Sequence, residues 1–177
     1  MIAALAGRRI DALGAEPRFP SDRIQTVHGV IAEQFRSRKV TGLVSSAACG
    51  ADLIAIHVSM ELDICFRIVL PYGIDDFRRS SVVDRPGKWE AIYDEAIGRA
   101  QIRGDLIVLN VERNAAGYRS ANQTIIDEAV CLSVNGATSL IAIAIWDSKR
   151  RNSEDATADF VDRATSLHLP ILSIPTL

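Results

Sequence analysis

The stretch that decides the fold reads Leu43-Val44-Ser45-Ser46-Ala47-Ala48-Cys49-Gly50-Ala51-Asp52. An apolar run passes through small residues and one glycine into a long apolar segment, residues 51–62, which is the pattern of a buried strand, a turn and a helix. The first N–H groups of a helix lack intrahelical partners and lie at the positive end of its dipole. Such a turn suits a phosphate or another anion, so the stretch predicts a ligand site at the carboxyl edge of a parallel sheet.

Apolar runs alternate with helical spacings on both sides of this stretch. Five further runs predict strands, at residues 2–6, 65–70, 106–109, 140–146 and 171–174. Apolar residues at helical spacing, as in residues 24–35 and 89–100, predict the connecting helices, whereas the polar stretches 77–84 and 110–122 are predicted to be loops. The alternation predicts one α/β domain over residues 1–177, with a Rossmann-like, doubly wound, mainly parallel sheet of about six strands and helices on both faces.

Composition and charge exclude several classes of protein. With 177 residues, 48% of them hydrophobic, the chain can bury a substantial core as a single domain. Its 20 basic and 22 acidic residues give a formal net charge of -2, so no overall field attracts nucleic acid or an anionic membrane, and neither is an expected partner. The first apolar run is too short for a signal peptide or a membrane span, which predicts a cytoplasmic protein.

The three cysteines are far apart and odd in number, so they form neither a disulfide framework nor a metal-binding pair. Cys65 and Cys131 are expected to be reduced, buried thiols. Cys49 differs because it precedes a predicted helix, where an accessible thiol would have a lowered pKa.

In a parallel sheet the residues just after each strand meet in one crevice. The predicted ligand-binding residues are Gly7, Arg8, Arg9, Ser45, Ser46, Gly50, Ala51, Asp52, Pro71, Tyr118, Arg119, Asn122, Trp146 and Asp147. Arginines bind phosphates bidentately, aromatic rings stack on bases, and aspartates accept hydrogen bonds from ribose hydroxyls or amines. Taken singly, each residue also fits a simpler role, such as a surface arginine or a packing glycine. Their convergence favours a nucleotide-type ligand.

Catalytic candidates are few. No cluster of histidine, cysteine or carboxylate residues has the spacing of metal ligands, so neither a metal nor a cofactor is expected beyond a nucleotide-type ligand. No G-x-S-x-G motif is present. The carboxylates of Asp52, Asp127 and Glu128 remain as candidates. Asp127 and Glu128 are neighbours on a predicted helix and point in different directions, so at most one of them faces the crevice. A solvated helix face is the simpler interpretation of both.

The order of motifs resembles the SLOG superfamily, which joins the DNA-processing protein DprA and the LOG cytokinin-activating phosphoribohydrolases. The resemblance is closest to the SLOG-type domains found with bacterial cyclases, tetratricopeptide repeats and defence effectors, and it covers nearly the whole chain. It rests on Gly7-Arg8-Arg9-Ile10-Asp11, Pro17-Arg18-Phe19-Pro20, Ala47-Ala48-Cys49-Gly50-Ala51-Asp52, Val69-Leu70-Pro71-Tyr72, Phe77, Ser81-Val82, Tyr118, Ala121-Asn122-Gln123, Ile126-Asp127, Leu140-Ile141-Ala142 and Trp146-Asp147. The resemblance implies a Rossmann-like nucleotide-binding domain, often dimeric, that senses nucleotide-derived signals or cleaves N-glycosidic bonds.

The chain departs from the SLOG pattern at two places. Arg8 stands where the family commonly has histidine, and Glu154-Asp155-Ala156-Thr157 stands where it commonly has Gly-Gly-Thr before a helix. Acids at a helix start repel phosphate, so a second anion subsite is not expected there. The Pro-Gly-Gly-x-Gly-Thr-x-x-Glu signature of the LOG enzymes is also missing, which argues against phosphoribohydrolase activity.

The sequence therefore favours a non-catalytic sensor domain for a nucleotide or nucleotide-derived signal. A homodimer is expected through residues 51–62, because apolar residues there cover more than one helical face. The alternative is an N-glycoside hydrolase, phosphoribohydrolase or nucleoside deoxyribosyltransferase-like enzyme that uses Asp52, Asp127 or Glu128. A third hypothesis is an interaction domain whose pocket has lost its ligand.

Overall fold

The structure is a computed structural model that describes all of residues 1–177. Its strands are β1 (Ile2–Gly7), β2 (Gly42–Ser45), β3 (Cys65–Leu70), β4 (Leu106–Val108), β5 (Leu140–Trp146) and β6 (Ile171–Pro175). Its helices are α1 (Ile24–Ser37), α2 (Ala51–Glu61), α3 (Ile74–Ser81), α4 (Glu90–Arg103), α5 (Ala115–Asn135) and α6 (Ala156–Ser166). None of these helices combines the length and the apolarity needed to cross a bilayer.

The six strands form one sheet in the order β4-β3-β2-β1-β5-β6, and every pairing is parallel. The predicted α/β doubly wound, Rossmann-like fold is therefore confirmed. The chain winds outward from β1 to β4 and then returns to β5, on the other side of β1. Ligands bind in such sheets outside the carboxyl ends of the strands at this reversal, so the topology directs attention to the loops after β1 and β5.

The central strands are apolar throughout because both of their faces are covered by helices. In β1, Ile2 to Ala6 are buried, and in β5 the five residues 141–145 are buried. One hydrophobic cluster joins one face of the sheet to α1, α2 and α4, and a second joins the opposite face to α5 and α6. This arrangement leaves the strand ends as the place where polar residues collect.

The helix α2 is apolar on most sides because it is buried within the chain. Eight of its eleven residues are buried, and it packs on the sheet with α1 on one side and α4 on the other. No partner subunit is needed to explain the apolar pattern of α2, so that expectation is wrong. A homodimer stays a prediction, but the apolar pattern of α2 does not support it.

Two stretches predicted to be loops form helices instead. In α3 the polar residues face water, while Phe77 and Ser81 are buried. The helix α5 begins at Ala115, inside the stretch predicted to be a loop, because the side chain of Asn114 accepts a hydrogen bond from the N–H of Gly117 at 2.9 Å. An asparagine in a polar stretch suggests a loop, but asparagine is also one of the preferred residues at a helix N-cap.

Candidate functional site

A cavity of about 450 Å³ opens at the carboxyl ends of the strands, in the size range of small-molecule sites. It is bounded by the loop that follows β1, the turn before α2, and the starts of α5 and α6. Eight of the predicted ligand-binding residues line it, namely Gly7, Arg8, Arg9, Ser46, Asp52, Pro71, Tyr118 and Asn122. The remaining six do not line it; they are Ser45, Gly50, Ala51, Arg119, Trp146 and Asp147.

The carboxyl group of Asp52 lies at the cavity and is almost fully buried, with the residue 6% exposed. Its Oδ2 accepts a hydrogen bond from the N–H of Ala48 at 3.2 Å, but its Oδ1 has no hydrogen-bond partner. Burial raises the pKa of Asp52 to about 7, against the opposing effects of the Ala48 N–H, the Arg9 charge and the N–H of Gly7. The Gly7 N–H lies near the carboxyl group but makes no well-aligned hydrogen bond to Oδ1. Near neutral pH this group is therefore divided between a charged acceptor and a neutral carboxylic acid.

Two of the first N–H groups of α2 bond within the chain, so fewer are available for an anion than the sequence analysis expects. The N–H of Ala51 donates to the carbonyl of Arg8 at 3.0 Å, and the N–H of Leu53 donates to the carbonyl of Ala48 at 3.2 Å. Gly50 makes this close approach to the chain after β1 possible. A Cβ on Gly50 would lie 2.7 Å from the carbonyl oxygen of Arg8, and its φ of 99° also favours glycine.

The guanidinium of Arg8 is held within the protein rather than directed at a ligand. It donates to Asp155 at 2.6 and 2.8 Å and, through Nε, to Asp147 at 3.0 Å. Trp146 lies against the same guanidinium, with 5.6 Å between its ring centroid and Cζ. Trp146 and Asp147 thus contact Arg8 rather than the cavity, and Arg8 lines the cavity with its guanidinium paired inside the protein. Ligand binding by these three residues stays a prediction.

Arg8 and Asp155 come from the two places where the sequence departs from the SLOG pattern, and they bind each other in the structure. Asp155 caps α6, since its carboxylate accepts from the N–H groups of Thr157 at 3.1 Å and Ala158 at 3.2 Å. Burial opposes the charge of Asp155, but the Arg8 guanidinium and the N–H donors of Arg151 and Ala158 lower its pKa to about 2. The start of α6 thus holds the protein's own carboxylate at the position where an external anion would bind.

The positive charge around the cavity comes mainly from loops that the sequence analysis did not connect with it. Arg9 lines the cavity and pairs with Asp84, and its buried Nε makes no well-aligned hydrogen bond, although the Cys49 thiol lies close to the guanidinium. Arg18, Arg85 and Arg151 also line the cavity. These three were missed because only the folded loops bring them beside the strand ends. Four carboxylates complete the lining, those of Asp11, Glu16, Asp52 and Glu154.

The carboxylates of Asp127 and Glu128 lie outside the cavity, which corrects their nomination as catalytic candidates. Glu128 accepts from Arg67 at 2.6 Å, and Asp127 accepts from the side-chain amide of Gln123 at 2.8 Å. Both residues lie in the middle of α5 rather than near its start. Among the three candidates, only Asp52 contributes to the cavity.

Cys49 is fully buried, and burial raises the pKa of its thiol despite the opposing charge of Arg9. The lowered pKa suggested by its place before α2 required an accessible thiol, so Cys49 is not a reactive nucleophile here. Tyr118 lies at the cavity and shares a hydrogen bond of 3.1 Å with the hydroxyl of Tyr72. This contact fixes one aromatic ring at the cavity wall.

No family model and no curated protein matches the chain. Among solved structures, it is similar to DNA processing protein A (DprA) from Streptococcus pneumoniae, with 14% sequence identity and a TM-score of 0.43. The similarity covers 98% of this chain and 58% of DprA. DprA is one of the proteins that the sequence motifs resemble. The fold itself is established by the sheet order.

Proposed function

We propose that this domain binds a nucleotide or a nucleotide-derived signalling molecule in the cavity at the strand ends and acts as a sensor without turnover. The observation that carries the proposal is the Oδ1 atom of Asp52, a buried oxygen at the cavity that has no hydrogen-bond partner. Buried polar atoms are nearly always satisfied, and an exception at a cavity fits a group that is completed by a ligand.

The chemistry of the wall supports this ligand class. Asp52 offers an acceptor for a ribose hydroxyl or an exocyclic amine, and Tyr118 offers a ring edge or face. Arg9, Arg18 and Arg85 line the cavity and offer cationic donors for phosphate. Each is also paired within the protein, Arg9 and Arg85 with Asp84 and Arg18 with Asp147, but all three are more exposed than Arg8. The internal pairing of Arg8 and the carboxylate at the start of α6 leave less phosphate-binding capacity than a dinucleotide site has. A ligand with few phosphates fits this arrangement best.

Calorimetric titration with mononucleotides, cyclic nucleotides and ADP-ribose tests the proposal. We expect one of these compounds to bind, and both Arg9→Ala and Asp52→Asn to weaken its binding about tenfold or more, since hydrogen bonds to charged groups contribute about 1.5–3 kcal/mol. Arg99→Ala is the matched control, because Arg99 is exposed on α4 and pairs only with Glu95. Absence of binding at about 1 mM, the weak limit of useful affinity, would refute the proposal.

One observation favours a second function, cleavage of an N-glycosidic bond with Asp52 as nucleophile or base. A buried carboxyl with a pKa of about 7 in a cavity has the perturbed character typical of catalytic acids and bases. Chromatography of nucleosides and nucleotides incubated with the protein distinguishes the two functions. Release of free base that Asp52→Asn abolishes would establish the enzyme, whereas ligand binding with intact ligand recovered would establish the sensor.

A further inference from the structure

A second polar cluster lies on the outer side of the helix layer, away from the cavity at the strand ends. It consists of His28 from α1 together with His57 and Glu61 from α2. His57 and Glu61 are one helical turn apart, so they lie on one face of α2, and the packing of α1 against α2 brings His28 to them. The sequence analysis missed this cluster because 29 positions separate His28 from His57.

The three side chains are already close to the geometry of a metal site. His28 Nε2 lies 3.1 Å from Oε2 of Glu61, and His57 Nε2 lies 3.8 Å from Oε1 of the same residue. One ligand atom from each residue lies within 4.8 Å of the others. Around a tetrahedral Zn²⁺ with bonds of about 2.0–2.2 Å, ligand atoms are about 3.4 Å apart, so small side-chain rotations suffice.

The surroundings leave room for an ion and its water. The cluster borders a groove of about 330 Å³ that is also lined by Trp89, Lys88 and Ile54. The side chains of His57 and Glu61 are each 42% exposed, so both can reorient. A fully packed histidine pair would not have this freedom.

We propose that His28, His57 and Glu61 bind a divalent transition-metal ion, with Zn²⁺ as the expected ion. Imidazole nitrogen favours zinc and its neighbours over magnesium and calcium, which prefer ligand sets made only of oxygen. Three protein ligands leave at least one position for water, and the ion joins α1 to α2. The site is independent of the nucleotide-type ligand proposed for the cavity.

Titration of the chelator-treated full chain with Zn²⁺, followed by calorimetry, tests the site, and Co²⁺ absorption reports the ligand geometry. We expect one Zn²⁺ per chain and a rise in melting temperature on saturation. His57→Gln and Glu61→Gln should each weaken binding at least tenfold and remove the rise. His168→Ala is the matched control, because this histidine lies beyond α6, away from the cluster.

The thiols of Cys65 and Cys131 are exposed, which corrects the expectation that they are buried, and they are the competing zinc ligands in this chain. A Cys65→Ser/Cys131→Ser variant that retains one-to-one binding supports the histidine site. The proposal is overturned if binding disappears in that variant, if His57→Gln and Glu61→Gln bind as the wild type does, or if Zn²⁺ does not saturate the protein below about 100 µM. Circular dichroism confirms that each variant is folded before it is titrated.

Discussion

Replacing Asp155 by asparagine should destabilise the protein far more than the same change elsewhere on α6. Arg8 is 3% exposed and Asp155 is fully buried, so the substitution leaves a buried guanidinium without one of its two carboxylates. Removing one partner of a buried pair costs about 3–5 kcal/mol. Asp147 stays 3.0 Å from Nε of Arg8 and compensates in part, which places the cost near the lower limit of that range.

The lowered pKa of Asp155 implies a similar magnitude. Its folded-state pKa is about 2 against an ordinary value of 3.8, and at 1.36 kcal/mol for each unit this corresponds to about 2 kcal/mol. We therefore expect Asp155→Asn to lose about 2–3 kcal/mol, or roughly 4–12 °C in melting temperature for a chain of this size. Because the folded-state pKa is depressed, the wild-type advantage is complete above about pH 4 and declines as the pH falls towards 2.

Urea unfolding followed by circular dichroism measures both effects. Asp162→Asn is the matched control, because this residue of α6 is exposed and pairs with Arg150, so its loss should cost less than about 1 kcal/mol. Asparagine at position 155 still caps the helix, so the comparison isolates the charge. Equal losses in the two variants, or a difference that persists unchanged down to pH 2, would refute the assignment of Arg8 to an internal ion pair.

Three further predictions follow from single positions. Because the folded-state pKa of Asp52 is raised, the wild type should lose stability relative to Asp52→Asn as the pH rises from about 4 to about 7. The expected loss is on the order of 2–4 kcal/mol, and unfolding measured at several pH values should show this difference in stability increase with pH. Gly50→Ala should lower the free energy of unfolding in urea more than Gly14→Ala does. Both glycines have a positive φ, but only at position 50 would a Cβ also lie within 2.7 Å of backbone atoms. Equal losses of stability would contradict the close approach at Gly50. In a thiol-reagent assay the two exposed cysteines should react in the native protein and Cys49 only after unfolding, so rapid reaction of all three would contradict its burial.

The sequence predicted the fold well because its signals are local. The apolar runs at residues 2–6 and 140–146 and the strand-to-helix stretch at 43–52 identify elements through periodicities that extend over a few residues. The two errors in secondary structure, at α3 and at the start of α5, arose where helical segments are polar on the outside. In sequence, α3 is distinguished from a loop mainly by one buried apolar side chain, Phe77, and the start of α5 by one helix cap, Asn114.

The candidate site was predicted only in part, since the sequence shows which residues follow the strands but not what each of them contacts. It placed Arg9, Asp52 and Tyr118 at the crevice, and the structure places all three at the cavity wall. It did not show that Trp146 lies against the guanidinium of a neighbouring strand end, nor that Glu128 pairs with Arg67 on the sheet. These contacts join residues that are distant in the chain.

The sequence by itself determined the parallel sheet and the edge at which polar residues gather, because strand and helix patterns fix the order of elements and the handedness of crossovers fixes their arrangement. Only the tertiary structure decided which of those polar groups remain available. Arg8 meets Asp155 across 147 positions of sequence, and the carboxylate fills the start of α6, whereas Oδ1 of Asp52 is left without a partner. Charged groups are neutralised by neighbours in space, and those neighbours exist only once the chain has folded.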